Sequence, residues 1–306
     1  MIELLERFPN NARVCFIGDS LTAQNAVQWM TVDCYKRTFP ESNIEVFNCG
    51  VAGGTAYNAL QYLEDDVFIH NPTHAVIGFG VNDSARWELA HPRSFERYDR
   101  MVNAFETFKK SMRELCDILI SRGIKVTLCT PLPYDEYHEG TEPAFVGGYA
   151  LLVAFADAAR EIAKEKNLPL CDYFEFFARE MQMDNLYCGD HVHPNDHGYY
   201  VMAKYFLSQQ GLELGEEKTA PPDYLKEWCE KIAERVEIFS GELMIVNNYN
   251  APIEEKYEIV QNFLKNSEGK LPRLIEISNN YLRLKPHQAE IFSEIDALYA
   301  KNVLGK

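Results

Sequence analysis

Through the first two thirds of the chain, short apolar runs alternate with longer stretches whose apolar residues recur at steps of three and four. The runs Arg13–Ile17, Ile44–Asn48, Ala75–Phe79, Lys125–Cys129 and Pro169–Cys171 read as strands buried on both faces. The clearest helix is 95–122, where Phe95, Tyr98, Met101, Phe105, Phe108, Met112, Leu115 and Leu119 share one face. Arg122-Gly123 ends it with a basic last turn and a glycine. This alternation predicts an α/β fold, a parallel sheet covered by helices on both faces. Ligands in such sheets meet the carboxyl ends of the strands. The residues just after each strand therefore hold the candidate chemistry.

After residue 211 the pattern changes. Gly211–Pro222 is acidic, contains glycine and ends in Ala-Pro-Pro, as a connector does. It divides an N-terminal unit, 1–211, from a mainly helical extension, 212–306. In the extension Leu225, Trp228, Ile232, Val236 and Phe239 mark an amphipathic helix, followed by the short apolar run Leu243–Val246. Helical stretches are expected near 253–265 and 286–300, with Pro286 suited to start the last. The apolar stripe must be covered, either by the N-terminal unit or at a homo-oligomer interface.

The chain has 306 residues, 46% hydrophobic and 25% charged, an ordinary globular composition. It holds no apolar run long enough to span a bilayer, and its first residues lack a signal peptide's basic and apolar regions. The 8 cysteines form no CxxC pair and several sit inside apolar runs. They read as reduced thiols and predict a cytoplasmic protein with no membrane partner. A net charge of −16 repels phosphate backbones and argues against nucleic acid as a partner.

Three polar groups sit at the predicted strand ends, and a fourth lies well beyond the last strand. Gly18-Asp19-Ser20-Leu21 follows the first strand and opens a helical stretch; it is either a helix cap or a serine placed near a helix N-terminus. Asn48-Cys49-Gly50-Val51-Ala52-Gly53 follows the second; it is a plain turn or a place where backbone N–H groups approach a ligand. Gly80-Val81-Asn82-Asp83 follows the third; it is a turn, or it offers the Asn82 amide at the same edge. Far along the chain, Asp190-His191-Val192-His193-Pro194-Asn195-Asp196-His197 concentrates three histidines. Asp190 and His193 are spaced so that a carboxylate can hold imidazole Nδ1–H and leave Nε2 free as a base. Pro194 holds His193 extended. Together these supply a nucleophile, donors for an oxyanion, and a base with its orienting acid.

In order and spacing the four blocks resemble those of the GDSL, or SGNH-hydrolase, family, over about residues 10–210. Within it the likeness is to acetyl-esterase, carbohydrate-esterase-like members. The resemblance implies a three-layer α/β/α, flavodoxin-like fold around a five-stranded parallel sheet, with 1–211 as the catalytic domain. It implies Ser20 as nucleophile, His193 as base and Asp190 as orienting acid. The oxyanion hole would comprise the Ser20 N–H, the Gly50 N–H and the Asn82 amide. Asp19, Trp87 and Tyr134 are the candidate substrate contacts, and the loop 131–148 is expected to border the site. The expected reaction is hydrolysis of a small acyl ester, an acetylated sugar among them, with no cofactor and no metal. The alternatives are a thioesterase, lysophospholipase or acyltransferase built on the same triad. Two others are a metallohydrolase using His191, His193, Asp190, Asp196 and His197, and a non-catalytic carbohydrate-binding protein.

Overall fold

The structure, a computed structural model, describes residues 5–247 and 284–306. The predicted strands all form: β1 (Arg13–Gly18), β2 (Glu45–Gly50), β3 (His74–Gly78), β4 (Lys125–Cys129) and β5 (Leu170–Cys171). They pair in parallel as one five-stranded sheet in the order β2-β1-β3-β4-β5. Their interiors are buried because helices cover both faces, which is why they read as unbroken apolar runs. This is the expected three-layer, flavodoxin-like arrangement. The order reverses beside β1, so the chains leaving β1 and β3 part to opposite sides and open a crevice.

The register puts Gly18 beside both Gly50 and Gly78 at the carboxyl edge. The short helix α1 (Ser20–Ala23) lies directly on that edge. A Cβ on Gly18 would sit 2.1 Å from Thr22 Oγ1, and one on Gly50 only 2.4 Å from the Ala23 nitrogen. Close approach of α1 to the sheet therefore requires glycine at both positions.

Helix α2 (Ala26–Thr38) packs with the helix Asp196–Gln209 on one face of the sheet. Helices α3 (Ala56–Tyr62), α4 (Phe95–Ser121) and α5 (Gly148–Glu165) pack together as a second group. Helix α6 (Tyr173–Glu180) contacts Asp196–Gln209, which is α7. The predicted α4 forms, but only half its apolar stripe is buried. Phe108, Met112, Leu115 and Leu119 are fully covered, whereas Phe95 is 88% and Tyr98 66% exposed. The reason is length: 27 residues span about 40 Å, and the five-residue strand β3 spans only about 17 Å.

The C-terminal extension contributes α8 (Asp223–Asn247) and α9 (Leu284–Tyr299). The predicted apolar run Leu243–Val246 lies within α8, and α9 begins two residues before Pro286. The helical stretch expected at 253–265 falls outside the described residues. Leu225, Trp228, Ile232 and Phe239 are buried in the same hydrophobic cluster as the sheet. Trp228 meets Tyr299 edge-on at 5.4 Å, and the Tyr299 hydroxyl donates to the Ile44 carbonyl beside β2. The stripe is thus covered within the chain and needs no second subunit to bury it. Among the described residues no helix is long and apolar enough to cross a membrane.

Candidate active site

Three loops and one distant segment meet at the carboxyl edge. Asp19 caps α1 by accepting the Leu21 N–H at 3.0 Å. This starts the helix immediately after β1 and lifts Ser20 to the surface of the crevice. The segment 187–194 returns across it, pinned where Tyr187 bridges Pro194 and the Cys188 N–H meets the His193 carbonyl at 2.7 Å. Asn195 then caps α7 through the Gly198 N–H.

His193 Nε2 lies 2.8 Å from Ser20 Oγ, and its Nδ1 lies 2.5 Å from Asp190 Oδ2. The other Asp190 oxygen accepts the backbone N–H groups of Val192 and His193 at 3.1 and 3.0 Å. Burial alone would raise the Asp190 carboxyl; the hydrogen bonds from the His193 ring and these two N–H groups outweigh it and hold it below the usual carboxylate range. Asp190 thus stays ionised and fixes the imidazole with Nδ1 protonated and Nε2 facing the serine.

The predicted companions of His193 go elsewhere. His191 adopts a left-handed φ of 64° and turns its Nε2 to the Glu142 carbonyl, 2.7 Å away. His197 sits between Glu217 and Asp184. The three histidines diverge, and no common ligand set remains for the metallohydrolase alternative. Among the described residues one other group has ligand-type atoms within 4.8 Å of each other: Cys49, Asp66 and His70. The Arg235 guanidinium already rests on Asp66, filling the place of a cation.

Gly50 does not fit its expected part. The Val51 N–H points toward β1, bonding the Gly18 carbonyl at 2.9 Å, so the preceding N–H points the opposite way. It donates to Asn48 Oδ1 at 2.8 Å. Three residues on, Val51–Gly54 forms a turn closed by Gly54 N–H to Val51 carbonyl, with Gly53 at φ 76°. That left-handed third position is what a type II turn reserves for glycine. Gly53 is exposed, and among the described residues its N–H meets no acceptor. Asn82 joins this turn, donating from Nδ2 to the Gly54 carbonyl at 3.1 Å. The Asn82 amide and the open N–H groups of Gly53 and Ser20 are therefore the donors at the crevice.

Two of the three candidate substrate contacts are turned inward. Asp19 is buried as the α1 cap, and burial pushes its carboxyl up to about 6 against the pull of the Leu21 N–H, His193 and Arg86. Tyr134 is buried under its loop, where its hydroxyl accepts the Phe145 N–H and its ring packs on Phe145 and His191. Only Trp87, 48% exposed on the 3-10 turn Arg86–Ala90, is presented to solvent.

Two further residues have no role assigned from the sequence. Asp83 ties two site loops together, accepting the Gly80 N–H at 3.0 Å and the Ala56 N–H at 2.9 Å. Burial pushes its carboxyl up to about 7. Arg86 donates to the Val81 carbonyl at 3.0 Å and approaches Asn82 Oδ1 at 3.5 Å, which favours the amide orientation with Nδ2 toward Gly54. Both lie within four residues of Asn82, where an acidic and a basic side chain three residues apart in a turn were the available signal.

A family model for the GDSL-like lipase/acylhydrolase family matches residues 16–201. The chain is 25% identical over 221 residues to an acetylxylan esterase of Geobacillus stearothermophilus, covering 66% of this chain and 94% of that protein. It is 25% identical over 166 residues to an uncharacterized lipoprotein of Bacillus subtilis (strain 168), covering 50% of this chain and 63% of the lipoprotein's length. In fold it resembles a gut microbial diltiazem-metabolizing enzyme (TM-score 0.67, 16% identity, covering 99% of this chain and 97% of that one). It also resembles a catalytic mutant of the Geobacillus esterase (TM-score 0.56, 22% identity, covering 68% and 98%). With the family's model spanning all four sequence blocks, the chain belongs to the GDSL-like lipase/acylhydrolase family and is a carboxylic ester hydrolase.

Proposed function

We propose that this protein is a serine esterase that removes small acyl groups, acetyl above all, from carbohydrate esters, using Ser20, His193 and Asp190. The observation that carries the reading is the continuous hydrogen-bond line from Ser20 Oγ through His193 to Asp190. His193 Nε2 takes the Oγ proton as Oγ attacks the ester carbonyl carbon. The carbonyl oxygen becomes an oxyanion facing the Asn82 amide and the N–H groups of Ser20 and Gly53, with Gly53 taking the part expected of Gly50. As the C–O bond breaks, the imidazolium gives its proton to the leaving alcohol. Water then attacks the acyl-serine by the same route, releasing the acid and restoring Ser20.

The acetylxylan esterase relative supports an acetyl group on a sugar. Trp87 offers a half-exposed indole face beyond Asn82, suited to stacking on a sugar ring. The test is a panel of acetylated xylo-oligosaccharides, p-nitrophenyl esters of increasing acyl length, and acyl-CoA thioesters. Fastest turnover on the acetylated sugars is expected; a preference for long acyl chains or thioesters would move the assignment to a lysophospholipase or thioesterase.

A further inference from the structure

We infer that the C-terminal extension takes part in catalysis through Arg235, a positioning residue that sets the oxyanion turn; this rests on the reading of Ser20 and its oxyanion donors given above. Arg235 projects from α8, is 1% exposed, and donates from Nη1 to the Gly50 carbonyl at 2.8 Å across 185 residues of sequence. Its Nη2 bonds the buried carboxylate of Asp66, and its guanidinium stacks over Phe239 at 4.3 Å and lies 5.8 Å from Phe292. His70 lies close by, stacked on Phe47 and edge-on to Phe292; burial, with Arg235 and Arg13 nearby, drives its value down to about 3 and keeps it neutral. Arg235 therefore holds its place as the cation facing Asp66, and it cannot leave without stranding that carboxylate.

The Gly50–Val51 peptide group is where this clamp meets the active site. Its carbonyl accepts from Arg235, while its N–H donates to the Gly18 carbonyl, two residues before Ser20. A charge-assisted bond on one end of a peptide polarises the group and strengthens the bond at the other. The next link is Gly54 N–H to the Val51 carbonyl, and the last is the Asn82 amide to the Gly54 carbonyl. One line of hydrogen bonds thus runs from α8 through all three loops that carry Ser20, Gly53 and Asn82. Losing its anchor lets the Gly50–Gly54 segment relax and moves the Gly53 N–H from where the oxyanion forms.

The test is Arg235→Lys, which keeps a cation for Asp66 but loses the guanidinium fork, together with the paired variant Arg235→Met/Asp66→Asn, which leaves no stranded charge. Both are assayed as full-length protein on p-nitrophenyl acetate. A displaced oxyanion donor is expected to lower kcat by about 10–100-fold with KM within about twofold and the pH profile unmoved. Affinity for a boronic acid, which mimics the tetrahedral adduct on Ser20, should fall in parallel, while inhibition by the product alcohol stays constant. If both variants prove unfolded, amide exchange in Asp66→Asn decides: faster exchange at Val51–Gly54 is expected, and unchanged exchange there overturns the inference. Folded variants with wild-type kcat and boronate affinity also overturn it. Ser20→Ala run alongside separates the two readings. If Ser20→Ala is inactive while the Arg235 variants are unimpaired, only the positioning role fails; if Ser20→Ala is active, the catalytic assignment itself fails.

Discussion

Two charged clusters flank the carboxyl end of β2, and they solve opposite problems. Ser20, His193 and Asp190 are partly exposed and joined by directional hydrogen bonds, each group left with one face open. Arg235 and Asp66 are sealed from water and paired with each other, with aromatic rings around them, and Arg235 spends a second nitrogen on the Gly50 carbonyl. The first arrangement keeps protons movable; the second removes freedom from the backbone between them. A buried ion pair adds little net stability over an apolar one, but breaking it leaves an expensive lone charge. The contrast shows why a cluster with ligand-type residues, Cys49, Asp66 and His70, need not be a site: its cation is part of the protein.

Substitutions in the two clusters should separate by their effect on stability. Asp190→Asn should lower kcat by about 10⁴-fold, because the amide no longer enforces the required imidazole tautomer; circular dichroism and melting temperature should stay near wild type. Asn82→Ala should cost about 10²–10³ in kcat, with less effect on KM. Arg235→Ala should do the reverse in the fold, destabilising by about 3–5 kcal/mol in urea unfolding. A merely catalytic defect in Arg235→Ala, with full stability, would erase the distinction between the clusters. Trp87→Ala should raise KM for acetylated oligosaccharides several-fold by loss of about 1 kcal/mol of stacking, leaving p-nitrophenyl acetate turnover unchanged.

A subtler contrast lies between two carboxylates of the site. Asp190 is held below its ordinary value, so the folded state favours its charged form; its contribution to stability is present above about pH 4 and is lost as pH falls through the lowered value. Asp83 is pushed from 3.8 up to about 7, so the folded state holds a proton that the unfolded chain has released. Its contribution is full at low pH and declines as pH rises between those values. Urea titrations from pH 4 to 7.5 should therefore show a flatter stability slope for Asp83→Asn than for wild type. An identical slope would mean that Asp83 is already ionised across that range.

How much of this was legible depended on the range of the interaction. Strands buried on both faces announce themselves as apolar runs, and β1 to β5 fall within about two residues of the sequence reading. The spacing of Asp190 and His193 is local, and so is the geometry it encodes. The oxyanion part that the resemblance implies for Gly50 does not fit a strand that continues past Asn48. With β2 running through Gly50, its N–H is turned away and the next glycine inherits the turn. Asp19 and Tyr134 have polar tips, but the cap and the loop consume them, which a residue list does not reveal. The exposed start of α4 follows from comparing helix and strand lengths, a step that periodicity alone omits. Arg235 was out of reach: its partners lie 169 and 185 residues away, and nothing in the α8 sequence marks one arginine as buried.

The proposed reaction places the acyl group on Ser20. It is tested most directly by trapping the enzyme with a fluorophosphonate or a slowly hydrolysed acetyl ester and mapping the adduct by mass spectrometry. One adduct per chain is expected, on the peptide containing Gly18-Asp19-Ser20-Leu21, with activity lost in proportion to labelling and no adduct in Ser20→Ala. Full inactivation with the label on another residue, or undiminished turnover by Ser20→Ala, would contradict it.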